Sequence, residues 1–405
     1  MHNNSGFEIK LHDGNILELR VNEMMHASSQ SFSLLKTALN KYDFVVLVLQ
    51  PNGILPVSVK DALVEHPGFK KLKAVLTRQM QIPQKIFKLP LYKDVDEALL
   101  SIATFKGVKA GIDNFKSLPF MQSKIFSAFK VLRNDPANIK DALAALSGDH
   151  RIAMKILELA NESNEAKEEP YDSLSKAAAF VGGEGIAYVL VFELFKMLED
   201  VFEEASIKLL HMKNCSLLCE TIAMLAVSDK SQRWLSASAG LLHDIGSLLL
   251  ADYAPKNYDT ASNNRYSAGL SSLEAENKIF AFNHIEAGKM FSDTLNLPHF
   301  IELSITEHHS LPPLPNDFVL HSVIVADNFL NASLGSDPFI SCEDSLEFLA
   351  KYTAKMSTGK SPFTETLRRL ALRERFNMSE ESRPFEKKVL GKILTQVLSE
   401  APLTL

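Results

Sequence analysis

The chain reads as a mainly α protein, a helical bundle preceded by a small α/β domain, and three observations predict this. Strand-like alternation and a short apolar run fill the first hundred residues. Helical spacing of apolar residues then repeats almost without interruption from Gln122 to Leu295. The breaks in that second pattern fall at Pro136, Gly148, Pro170, Gly182-Gly183, Pro298 and Pro312-Pro313, where helices are expected to stop.

Phe7-Glu8-Ile9-Lys10-Leu11, a turn at Asp13-Gly14-Asn15, and Ile16-Leu17-Glu18-Leu19-Arg20-Val21 predict a β-hairpin. Ser31 to Asn40 has helical spacing, and Phe44 to Leu49 is a buried-strand run. Lys71 to Thr77 and Ile86 to Leu89 offer further strands, and Asp94-Val95-Asp96-Glu97-Ala98 opens another helix. Residues 1–108 are therefore expected to form the small α/β domain. Helices are expected over Gln122–Leu132, Asn138–Leu146, Ile152–Asn161, Ser173–Phe180, Gly185–Phe202, Ser206–Val227, Ser231–Asp252 and Glu274–Leu295. Asn257 to Ser272, rich in Asn, Ser, Tyr and Gly, is expected to be a surface loop. The resulting domains are 1–108, a helical domain at 109–335, and a helical extension at 336–405 that packs on it.

With 405 residues, 46% of them hydrophobic, and only 17 Gly and 17 Pro, the chain is rich enough in apolar residues for two or three packed domains. A net charge of −6 gives no electrostatic footprint for nucleic acid or an acidic membrane surface. The basic strip Arg368, Arg369, Arg373 and Arg375 is diluted by Glu374 and Glu380-Glu381 and reads as a solvated helix face. Residues 1–14 lack a basic segment followed by an apolar one, and no secretory signal is expected. The apolar stretches Ala187–Phe195 and Leu248–Ala251 read as too short to cross a membrane. Cys215, Cys219 and Cys342 form neither an even framework nor a CxxC pair, which suits a reducing, cytoplasmic location.

His211, His243-Asp244, His284, His308-His309 and Asp327 contain five of the twelve histidines, each on or at the end of an expected helix. A bundle can converge such side chains on one interior point. Neutral imidazoles with carboxylates suit a divalent transition metal (Fe, Mn or Zn), as one or two ions. An ion so held acidifies a bound water, and a second one nearby clamps a phosphoryl oxygen. Cys215 and Cys219 share the His211 helix face but read as small packing residues, and Trp234 reads as core.

The string Ala239-Gly240-Leu241-Leu242-His243-Asp244-Ile245-Gly246, followed by Phe282-Asn283-His284-Ile285-Glu286-Ala287-Gly288 and Ile305-Thr306-Glu307-His308-His309, resembles the HD superfamily in its HDOD branch. Leu118-Pro119, Asp149 to Asn161 and Tyr171 to Gly182 are similar to the branch's upstream helices, so the resemblance covers about 112–330. It implies a bacterial signal-transduction regulator that retains a divalent-metal site; the alternative is an active phosphohydrolase or phosphodiesterase acting on a nucleotide or phosphodiester. By the resemblance His211, His243, Asp244 and Asp327 hold a first metal, and Asp244, His284 and His308 a second, with His309 beside them. Asp244 and His243 are then the catalytic candidates. The implied partner is a signalling protein or a nucleotide ligand, and self-association as a homodimer stays open.

Two departures bear on substrate. Cyclic-dinucleotide phosphodiesterases of the superfamily continue into a Gly-Tyr-Pro segment, whereas this chain reads Ser310-Leu311-Pro312-Pro313-Leu314-Pro315, and Ser247 stands where they place a lysine. The first hundred residues resemble the STAS-like fold of bacterial sensor modules, but Leu49-Gln50-Pro51-Asn52-Gly53 lacks the phospho-acceptor serine.

Overall fold

The computed structural model describes residues 7–21, 29–49, 62–63, 65–67, 71–76, 91–115, 124–164, 169–202, 205–226, 229–268, 270–280, 282–310, 317–331 and 343–356. The expected strand at Ile86–Leu89, the turn after Leu49, Leu118-Pro119, Leu311–Pro315, Cys342 and the arginine strip lie outside them. The chain forms two compact units, Met1–Ala110 with Tyr253–Asn283, and Gly111–Asp252 with His284–Leu405. The stretch expected as one helical domain over 109–335 is thus interrupted, in its contacts, between 253 and 283.

In the first unit, β1 (Phe7–His12), β2 (Ile16–Val21), β3 (Phe44–Leu49), β4 (Leu72–Leu76) and β5 (Leu91–Tyr92) make one sheet in that order. β1 and β2 pair antiparallel with His12 opposite Ile16, and the later neighbours pair parallel. Every residue of β3 is buried. A parallel interior strand covered on both faces needs apolar side chains at every position, so its text does not alternate. One face is covered by α1 (Gln30–Lys41), which Ser29 caps by accepting from the Phe32 amide, with Phe32, Leu35 and Leu39 in the core. The other face packs Phe44, Val46, Val48 and Tyr92 against Ala98 and Ile102 of α2 (Val95–Phe115).

The expected loop at Asn257–Ser272 is corrected to helix. α10 spans Pro255–Ala268 and α11 spans Ser272–Phe280. Proline suits a first helical position, and Ser271 with Glu274 forms a capping box whose two reciprocal bonds are 3.2 and 2.8 Å. Tertiary contacts outweigh the weak propensity of the polar text: Asn257 donates to Thr104, Tyr92 Oη donates to the Asn277 carbonyl, and Phe282 meets Phe105 edge-on at 4.9 Å.

The second unit is helical as expected. It contains α3 (Lys124–Asn134), α4 (Ile139–Ala145), α5 (His150–Glu162), α6 (Leu174–Val201), α7 (Ser206–Ala226), α8 (Lys230–Leu242), α9 (Ile245–Tyr253), α12 (His284–Leu295), α13 (His299–Glu307), α14 (Phe318–Asn331) and α15 (Glu343–Met356). α8 is the central helix, packed on α6, α7, α13 and α14. Two expected helices are each divided. Ser231–Asp252 breaks at His243-Asp244, and Glu274–Leu295 ends at Phe280 and restarts at His284. α6 is kinked where Gly182 adopts φ 70°, ψ −175°, a conformation that a side chain disfavours.

Two helical stretches, Leu174–Val201 and Lys230–Tyr253, are long and apolar enough to cross a membrane, contrary to the shorter runs read from the sequence. Of their most apolar windows, 67% and 89% respectively lie buried inside the protein, as for core helices.

Candidate metal centre

The site begins with helix ends. His243 caps the C-terminus of α8, and its Nδ1 donates to the Gly240 carbonyl at 2.8 Å, one of the oxygens that a helix end leaves without an amide. That bond commits Nδ1 to the backbone and turns Nε2 inward, toward the other side chains of the cluster. Nε2 is buried, 3.4 Å from Asp327 Oδ1, and has no hydrogen bond of good geometry among the described residues. His211, on α7, brings its Nε2 to 3.1 Å from the same oxygen. Asn331, one turn after Asp327 on α14, donates to that oxygen at 2.8 Å and orients the carboxylate. His211, His243 and Asp327 thus present three ligand atoms within 4.8 Å of one another.

A second triad lies beside the first. His308 caps α13 and donates from Nδ1 to the Ser304 and Ile305 carbonyls at 2.9 and 3.1 Å. His284 is the first residue of α12. Ligand atoms of His284, His308 and His309 also lie within 4.8 Å of one another. The His243 and His308 rings are 5.1 Å apart, edge to face, and they join the two groups.

Asp244 belongs to neither triad. Its Oδ1 is 3.9 Å from His284 Nε2, and its Oδ2 is 3.5 Å from Lys208 Nζ. The turn that holds it needs a glycine two residues on, because a Cβ at Gly246 would stand 1.7 Å from the His284 carbonyl oxygen. α9 and the start of α12 therefore touch backbone to backbone.

The electrostatics suit a cation. Burial works to raise the Asp244 carboxyl, but Lys208, His284, His243 and His211 overcome it and hold the group far below the carboxylate range. Asp327 is likewise opposed by burial and held low by His211 and His243. Burial, then His309, His243 and His284, keeps His308 well below the ordinary histidine value, and so neutral, as a ligand must be. His243 is pulled both ways: burial opposes its charged form, Cys215 and Asp327 favour it, and the balance lies well above the ordinary value. Burial pushes the Cys215 thiol well up, so that thiol carries no charge and Asp327 is the partner that matters.

All seven residues selected from the sequence fall in the second unit, and the structure gathers six of them into two triads with Asp244 alongside. The donor set, imidazole with carboxylate in a buried setting, fits a borderline divalent ion. Cys215 and Cys219 are buried, and the Cys219 sulfur lies against Gly240 of α8, as packing residues do. Lys208 and Asn331 were not singled out by sequence; their signal is positional, three residues before His211 and four after Asp327.

The second unit is thus a helical bundle in which one triad of two histidines and an aspartate lies beside a second triad of three histidines. Residues 118–311 match the HDOD domain family, and the chain contains an HDOD domain over that stretch. An uncharacterized protein of Treponema pallidum (strain Nichols) is 21% identical over 233 residues, which is 56% of this chain and 45% of that relative. The match thus spans less than half of the relative's length. Among solved structures, the chain is similar to an HDOD domain protein of unknown function from Geobacter sulfurreducens, with 18% identity, a TM-score of 0.41 and coverage of 67% and 98% of the two chains. A protein from Shewanella amazonensis SB2B, provisionally described as a phosphohydrolase, gives 15%, 0.40, 71% and 98%.

Proposed function

We propose that this chain is a bacterial signal-transduction regulator whose HDOD domain retains a divalent transition-metal site at His211, His243 and Asp327. The observation that carries the reading is His243. Its Nδ1 proton is committed to a backbone carbonyl, and its buried Nε2 faces a carboxylate that is itself held by Asn331. Ligand orientation by such outer partners is the usual construction of a metal centre. The signal would come from a partner protein or a nucleotide bound to the domain, with the STAS-like N-terminal unit as its sensory part and the cytoplasm as its location.

The test is the metal content of protein purified without chelator or affinity-tag metal. His243→Ala and Asp327→Ala are expected to lose the ion, whereas Cys215→Ala keeps it. Equal content in all variants removes the cluster as a metal site.

A second reading, a metal-dependent phosphohydrolase, is favoured by the adjacency of the two triads, with Asp244 beside both. Such ions acidify water and neutralise phosphoryl oxygens. The chain's own part is to orient them through His243, His308 and Asn331 and to supply the negative charge of Asp244. Manganese- or iron-loaded protein should be assayed on a simple phosphodiester and on cyclic-di-GMP. Slow metal-dependent cleavage of the first with little of the second is expected, because dinucleotide recognition needs groups beyond the ligands. Rapid cyclic-di-GMP turnover abolished by Asp244→Ala would promote the enzyme over the regulator.

A further inference from the structure

The two oxygens of Asp244 face different groups. Oδ1 looks toward His284 at 3.9 Å, and Oδ2 toward the Lys208 ammonium at 3.5 Å. Lys208 is on α7, three residues before His211, so the helix that gives the first triad an imidazole also delivers a positive charge to Asp244.

The triads differ in charge. The first includes the carboxylate of Asp327, while the second is three imidazoles. A divalent ion held by neutral imidazoles, with another divalent ion close by, depends on a nearby anion to offset the repulsion. Asp244 is the carboxylate that faces His284, and it already faces a cation. At this separation, with an effective dielectric of about 20, one unit charge alters ion binding by well over tenfold.

We propose that Lys208 is a built-in competitor for the second metal ion. Its ammonium neutralises Asp244, confines tight binding to the His211–His243–Asp327 triad, and makes binding at His284–His308–His309 conditional on the lysine moving away. The Lys208 side chain is 28% exposed, so its flexible stem has a route to solvent. The inference rests on the proposed metal site and adds a control on its stoichiometry: whatever draws Lys208 from Asp244 favours the two-ion form.

The test uses full-length metal-free protein titrated with Mn²⁺ or Zn²⁺ against a chromogenic chelator, with elemental analysis after desalting. The wild-type chain is expected to bind one ion tightly and a second at least about tenfold more weakly. Lys208→Met should bind two ions tightly, with Lys208→Gln as a second neutral variant if the first misfolds, and Lys208→Arg should behave as wild type. Circular dichroism checks the fold of each. Two equally tight ions in the wild type, or an unchanged second affinity in a folded neutral variant, overturns the proposal. If the first ion binds and is lost in His243→Ala while Lys208→Met changes nothing, this inference alone fails. If the wild type binds no ion, the metal-site reading fails with it.

Discussion

His243 and His308 share a device. Each caps the C-terminus of its helix and gives its Nδ1 proton to a carbonyl three or four residues back. The ring is therefore oriented by backbone that helix formation has already placed, at no cost in an additional ordered side chain. Gly246 acts at the same scale. Its missing side chain lets α9 approach the first turn of α12, where His284 begins, and an added Cβ would collide with backbone that cannot swing aside. Gly246→Ala is expected to cost about 1–3 kcal/mol in denaturant unfolding and to displace His284. Metal titration should then show the second triad impaired and the first retained. A variant with wild-type stability would show that the α9–α12 approach is softer than this contact requires.

At the scale of elements, α3, α12 and α13 are tied by one ion network on Glu302. Arg133 Nη2 lies 2.7 Å from one Glu302 oxygen and Lys289 Nζ lies 2.6 Å from the other, while Arg133 Nη1 also donates to the Leu297 carbonyl. Partial burial would raise the Glu302 carboxyl, but Lys289 and Arg133 outweigh it and lower the value. A depressed folded value means the stabilisation is present above the ordinary glutamate value of about 4.3 and is lost as pH falls through the folded value below it. Glu302→Gln should therefore lower stability at pH 7 by about 1 kcal/mol or less, since the site is partly solvated. The gap between variant and wild type in urea melts should close as the pH drops below 4. A gap of equal size at pH 7 and pH 3 would assign the loss to packing instead.

For the whole molecule, the consequential fact is that the second unit is built from two stretches of chain, Gly111–Asp252 and His284–Leu405. Each contributes to the same cluster of candidate ligands: His211 and His243 come from the first, and His284, His308, His309 and Asp327 from the second. α8 packs on α13 and α14 across that division. Cleavage at a protease site inserted within Tyr253–Asn283 is thus expected to leave two pieces that co-elute in native size exclusion and separate only in denaturant. Pieces that part without denaturant would contradict the packing of α8. The same arrangement predicts that a fragment ending at residue 252 retains no metal, which elemental analysis would show.

The residue types and their order settle much of this in advance. Periodicity near 3.6 predicted the helices, the hairpin text predicted β1 and β2, and the histidines and aspartates named the candidate ligands, because ligand chemistry resides in the side chain itself. Tertiary structure alone decided how those ligands group. His211 and Asp327 are 116 positions apart, and no local pattern states that they meet at 3.1 Å while Asp244 turns toward Lys208. It also decided that the polar stretch from Pro255 is helix, and that His243 and His284 stand at helix boundaries where unbroken apolar spacing suggested continuous helices. The physical reason is common to all of these. Helix breaks, side-chain directions and burial depend on neighbours distant in sequence, and those neighbours exert their influence only when the chain has packed.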